Sequence, residues 1–256
     1  MPASKLKYPP DEIAKQDQLN AIYGQLLATA DIVTLPFNMT SADIVWEGFY
    51  PYYFSQRCKV LYIGWESLGL IGENYIDLMH HCYTIKKKIN GKSINQQKFH
   101  RLKLEIAYGL NNGHCEFEKV PKASDICNNF AVKGGVSFAF LNLSKFSNES
   151  GSSDANWELI NSSMVKLKSA QGNFFTQQID LFEPDIIITM NLESKLNTLG
   201  KVSMIEGDSK ASRYILQTET TEYPLIDTYH FSARNSPETD FYIPIMAAIE
   251  KFGLKF

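Results

Sequence analysis

Only four of the 256 residues are cysteines, Cys58, Cys82, Cys115 and Cys127, and no two form a C-x-x-C pair. A disulfide framework or a zinc ribbon is thereby excluded as the organising device. Nothing at the amino terminus reads as a secretory leader, so a reducing, cytoplasmic setting is expected. Long hydrophobic runs are missing too. Crossing a bilayer takes about 20 apolar residues, whereas runs such as Ile186-Ile187-Ile188 meet polar neighbours within a few positions. The chain is expected to be soluble, with no membrane contact. Charge of one sign is also scarce, since 25 Lys and Arg against 28 Asp and Glu leave a net charge of -3. Coating of nucleic acid by bulk positive charge is excluded, and any such contact has to be local.

What is present is apolar: 44% of the residues are hydrophobic and 12% aromatic, enough over this length for a full core. The simplest organisation is one domain over residues 1–256, with residues 1–45 supplying an N-terminal covering helix and a connection. That helix is predicted over Asp11 to Ala30, where Ile13, Leu19, Ile22, Tyr23, Leu26 and Leu27 recur at helical spacing after Pro9-Pro10. Short, nearly continuous apolar runs at Cys58 to Gly64, Val136 to Leu143 and Pro184 to Met190 read as buried parallel strands. A weaker run at Tyr223 to Tyr229 and an optional strand at Arg213 to Gln217 join them. Helical patterns fall between, from Glu73 to about Lys87, from Ala155 to Phe182 and from Asp240 to Phe252. Alternation of this kind predicts a three-layer α/β/α sandwich around a central, mostly parallel sheet of four or five strands.

Ligands of open parallel sheets bind beyond the carboxyl ends of the strands, so Gly64 to Gly72, Asn142 to Ser147, Met190 to Ser194 and His230 to Ser236 are expected to converge. The first segment, Ile63 to Gly72, carries three glycines and Glu66. It matches neither the G-x-G-x-x-G dinucleotide fingerprint nor a Gly-Lys-Ser/Thr phosphate loop, and a tight strand-to-helix turn explains its glycines equally well. The second ends a strand on Asn142, whose amide suits the edge of a pyrimidine but equally suits a local backbone bond. The last, Tyr229 to Ser236, gathers His230, Ser232, Arg234 and Asn235, either as a binding loop or as a capped turn before the final helix.

In this order, and above all in the His230 to Asn235 run HFSARN, the chain resembles the uracil-DNA glycosylase superfamily, whose single-strand-selective branch carries H-P-S-P-R-N. Phe140 to Leu143 is similar to its Asn-bearing strand, and the likeness runs in order from about Trp46 onward. The resemblance implies hydrolysis of the N-glycosidic bond of a flipped, deaminated or damaged base in DNA repair, without metal or cofactor. By matching positions it implies that Glu66 positions water and His230 stabilises the departing base. Asn142 would read the base and Tyr75 stack on it, while Ser232, Arg234, Asn235 and Lys145 would contact DNA. Phe231 stands where that motif has proline, and Trp-Glu-Ser-Leu-Gly where the family commonly has a Pro-containing turn.

No Asp or Glu occurs from Leu78 to Leu104, which holds Lys86, Lys87, Lys88, Lys92, Lys98, Arg101 and Lys103. This is the candidate local basic face for DNA, the alternative being a solvated surface with countercharges elsewhere. His80, His81 and Cys82 do not suggest a metal site, because adjacent helical residues point about 100° apart. No Gly-x-Ser-x-Gly nucleophile turn occurs. Besides a glycosylase, a catalytically inactive module of the same fold that binds DNA, a modified base or a small nucleotide fits the sequence, as does another α/β hydrolase. No obligate protein partner is evident.

Overall fold

A computed structural model describes residues 4–152, 154–167 and 173–254. Helix α1 (Pro10–Ile32) starts where predicted, with Pro10 in the first turn and Asp11 and Glu12 at the positive end of the helix. Glu12 is buried and accepts hydrogen bonds from the Tyr52 and Phe54 amides at 2.8 and 2.9 Å. It thereby ties α1 to the chain that enters the sheet. The strands of the main sheet are β1 (Gly48–Phe49), β2 (Val60–Gly64), β5 (Ala139–Asn142), β6 (Ile186–Met190), β7 (Lys201–Glu206), β8 (Ala211–Gln217) and β9 (Glu222–Thr228), in the order β1-β5-β2-β6-β9-β8-β7.

The core of that sheet, β5-β2-β6-β9, is parallel, while β1, β8 and β7 pair antiparallel. The architecture is α/β as expected, but the sheet has seven strands rather than four or five. The additions escaped sequence reading for physical reasons. β1 is two residues long, and β7 is an edge strand with mostly exposed side chains, so neither forms a continuous apolar run.

Side chains of the parallel strands alternate between two apolar layers. Val60, Tyr62, Phe138, Phe140, Ile186 and Ile188 face one, and Leu61, Ile63, Ala139, Leu141 and Ile187 face the other. The first layer is covered by α2 (Tyr75–His81), α3 (Lys98–Asn111), α4 (Ala123–Ile126) and α7 (Ile243–Lys251). The second is covered by α1, α5 (Trp157–Lys166) and α6 (Phe174–Phe182). Burial on both faces is why these strands read as unbroken hydrophobic runs.

The helix expected over Ala155 to Phe182 is two helices, each with its own cap. Asn156 accepts from the Leu159 amide and Asn173 from the Phe175 amide, and residues 168–172 of that span lie outside the described ones. The lysine-rich connection holds a hairpin of β3 (Lys88–Ile89) and β4 (Lys92–Ser93), turning at Asn90-Gly91 with φ of 47° and 76°. Such a two-residue turn needs positive φ at both positions, which Asn and Gly accommodate. Among the described residues no helix is long and apolar enough to cross a membrane.

Candidate active site at the carboxyl edge of the parallel strands

The connection leaving β2 covers one face of the sheet and that leaving β5 covers the other, so the chain parts beside Gly64 and Asn142, where such folds hold ligands. The four strand-end segments do converge there. The Leu143 and Ser144 amides donate to the carbonyls of Gly64 and Trp65, at 3.0 and 2.8 Å, and extend the β2–β5 pairing. Asn148 N–H donates to Ser67 O at 2.8 Å. Trp65 spans the remaining gap, its indole N–H donating to Asn191 O at 3.2 Å while its ring lies 4.6 Å from that of His230.

His230 is held by its own loop. Its Nδ1 accepts from the Ser232 hydroxyl at 2.6 Å and from the Ser232 amide at 3.3 Å. Burial, aided by the nearby Lys103 charge, pushes its pKa down to about 4. At neutral pH the imidazole is therefore uncharged, and the two donors to Nδ1 assign its proton to Nε2. The Ser232 hydroxyl proton is thus directed at His230. Phe231, which replaces a proline expected by resemblance, is fully buried against Tyr62 and Phe241, at 6.0 and 5.6 Å between ring centres. A buried ring thus anchors the loop that presents His230. Lys98, at the start of α3, donates to the carbonyls of Ala233 and of Asn235, the latter at 3.0 Å. Arg234 is exposed and has no hydrogen bond or ion pair among the described residues.

Glu66 has two unlike oxygens. Oε1 accepts from Asn148 Nδ2 at 3.0 Å and from the Asn156 amide at 2.8 Å. Oε2 is buried and has no partner among the described residues. Burial raises the Glu66 pKa, and the hydrogen bonds from Asn156 and Asn148 oppose that rise. A carboxylate pinned through one oxygen with the other bare is equipped to orient one additional donor. Asn148 and Asn156 escaped sequence reading because they lie in the connection to α5, with only the polar loop SNESGSS as a signal.

Asn142 sits deeper than expected. Its Nδ2 donates to Glu47 Oε1 at 2.6 Å and its backbone amide to Glu47 Oε2 at 2.8 Å. Lys145 Nζ donates to the same Oε2 at 2.5 Å and to Asn142 O at 2.8 Å. All three residues are buried. Burial pushes Glu47 upward and Lys145 downward in pKa, and their mutual attraction opposes both shifts. Lys145, expected against DNA, is instead sealed in this pair and does not reach solvent. Gly64 makes room for the arrangement, since a Cβ there would lie 2.6 Å from Asn142 Oδ1.

Tyr75, expected to stack on a base, is buried and stacks on Phe140 with ring centres 4.6 Å apart and planes at 20°. Lys103 lies against both. It is fully buried, donates to the Tyr75 hydroxyl at 3.0 Å, and its Nζ is 4.0 Å from the centre of Phe140 and 4.4 Å from that of Phe99. Phe99 in turn stacks on His230 at 5.5 Å. Desolvation drives Lys103 well below the ordinary lysine pKa.

The stretch read as one basic face therefore divides. Lys103 is buried, Arg101 pairs with Glu105 at 3.4 Å, Lys87 donates to Asn128, and Lys98 holds the His230 loop. Of the cations in this stretch, Lys86, Lys88 and Lys92 remain exposed. The hairpin bearing the latter two adjoins α3 through Gln97 Nε2, which donates to Ile89 O at 2.7 Å. A separate cavity of about 480 Å³, lined by Arg57, Tyr108, Asn112, Asp125 and Asn129, lies before the starts of β2 and β5, at the opposite edge of the sheet. Compared with known proteins, the chain matches no family model, no curated protein and no solved structure.

Proposed function

We propose that this chain is a uracil-DNA glycosylase-like enzyme that hydrolyses the N-glycosidic bond of a deaminated or damaged base turned out of DNA. The observation that carries this reading is the state of His230: neutral, with Nε2–H unspent, set between the rings of Trp65 and Phe99 at the strand ends. As the C1′–N bond breaks, the base takes the electron pair, and a fixed neutral donor stabilises that anion without prior loss of a proton. The bare Glu66 Oε2 orients a water toward C1′ and takes its proton as the new C–O bond forms. Exposed Lys86, Lys88, Lys92 and Arg234 flank the start of α3 and suit phosphates on either side of the site.

Lys103 favours a second reading. Its amino group occupies the space among Tyr75, Phe99 and Phe140, where a stacked base would compete with it. A module that binds DNA or a modified base without cleaving it fits that filled arrangement. Incubation with uracil-containing oligonucleotides, followed by alkaline scission of abasic sites, separates the two. Under the first reading wild-type protein yields scission, and Glu66→Gln or His230→Ala lowers the rate by about 10²- to 10³-fold, the scale for losing a general base or one transition-state donor. Salt-sensitive binding without scission selects the second.

A further inference from the structure

The rings at the strand ends continue past His230. Trp65 lies 5.2 Å from Trp157, the first residue of α5, with the planes at 50°. Phe99, His230, Trp65 and Trp157 thus form a row across the ends of β9, β6 and β2, at centre-to-centre steps of 5.5, 4.6 and 5.2 Å. The inner rings are partly covered, but Trp157 is 38% exposed. A tryptophan that opens its ring to water at the mouth of a polar site gives up burial worth more than most side chains can gain. Lys195 Nζ stands 5.8 Å from the Trp157 ring centre and forms no ion pair among the described residues.

We infer that Trp157 is a stacking subsite for an unpaired nucleobase, namely that of the nucleotide next to the one engaged at His230. The inference rests on the nucleic-acid reading of the site. Every base has a π-face, so an exposed indole accepts any of them, and a cation beside it suits the phosphate that accompanies the base. At 5.8 Å Lys195 holds the ring loosely, so an incoming base can take its place while the ammonium turns to that phosphate. Trp65 supports the platform from below, its indole N–H fixed on Asn191 O. One rigid row then serves both nucleotides.

The test is a fluorescence titration of the full chain with single-stranded oligothymidylate, which contains no excisable uracil. Binding quenches the wild-type tryptophan emission. Trp157→Leu, which keeps apolar bulk without a ring, weakens binding by about 5- to 100-fold, the range for one lost base–aromatic stack. Trp157→Phe retains most of the affinity. Lys195→Ala flattens the slope of log K against log salt by about 0.7, as expected when one phosphate contact on a single strand is lost. A Trp157→Leu protein that binds as tightly as wild type, or a wild-type protein whose emission ignores the oligonucleotide, overturns the subsite. Loss of binding in Trp157→Phe equal to that in Trp157→Leu overturns it as well. Absence of uracil excision with the subsite behaviour intact overturns the glycosylase reading alone.

Discussion

Replacing Glu47 with Gln tests whether the buried pair beneath Asn142 acts as one electrostatic unit. Gln keeps the shape and one acceptor oxygen but removes the charge. Lys145 Nζ, now 2.5 Å from Glu47 Oε2, would be left as a buried cation facing no carboxylate, with the Asn142 carbonyl at 2.8 Å and the rings of Phe174 and Phe175 at 5.5 and 5.2 Å beside it. Breaking one side of such a pair costs about 3–5 kcal/mol, because the remaining charge is neither hydrated nor compensated. With a urea slope of about 2 kcal/mol per molar, the unfolding midpoint falls by about 2 M. The double variant Glu47→Leu/Lys145→Met removes both charges and their desolvation cost. It is expected to recover most of the loss, since apolar replacement of a whole buried pair is often neutral or better. Urea titrations followed by circular dichroism and by tryptophan emission give both midpoints. The reasoning is refuted if Glu47→Gln shifts the midpoint by less than about 0.3 M at an unchanged slope, or if the double variant is no more stable than the single one.

Glu105 is nearly buried beside Arg101, and desolvation pushes its pKa up to about 7. The folded state thus holds the proton that the unfolded chain releases near 4.5, so stability present at low pH is lost as pH rises through about 7. Glu105→Gln lacks that loss and gains up to about 3 kcal/mol on wild type between about pH 4.5 and 7; parallel stability curves over that window refute it. In NMR titrations the His230 ring is expected to titrate at about 4, and Lys103→Met to raise its midpoint by removing a neighbouring positive charge. A wild-type midpoint at the ordinary value near 6.5 refutes both the assigned neutrality and its cause. Gly64→Ala puts a Cβ 2.6 Å from Asn142 Oδ1 and is expected to cost about 1–3 kcal/mol by overpacking. Thermal unfolding within 1 °C of wild type would show that Asn142 yields freely.

The parallel strands were legible because β2, β5 and β6 bury both faces and so advertise themselves as apolar runs. The convergence of their carboxyl ends followed from topology alone. β7 was not legible, since an edge strand of pattern KVSMIE with one face in water resembles a loop. The loop of His230 was readable because its key bond, to Ser232, is local. Glu47 was invisible for the opposite reason: its partner Lys145 is 98 residues away, and nothing in either neighbourhood announces the other. The same distance explains the misreading of Lys145, since a lysine beside a strand end looks solvent-facing until its carboxylate is found. In the lysine-rich stretch, burial of Lys103 depended on Tyr75, Phe99 and Phe140 closing over it, a tertiary event with no sequence period of its own.

Burial lowers the pKa of Lys103, so its ammonium gives up a proton to become a nucleophilic amine more readily than an exposed lysine does. Roofed by aromatic rings, it meets a dissolved acylating reagent only when that layer parts. Lys88 and Lys92, on the open hairpin, meet the reagent at all times, whereas Lys103 reacts only in the fraction of time that the layer is open, as a protected amide does in hydrogen exchange. Peptide mapping of the two lysine classes over time therefore reads the breathing of the site directly. A ligand that wedges the rings apart shortens the lag of Lys103, and one that locks them lengthens it, so the chain carries its own clock.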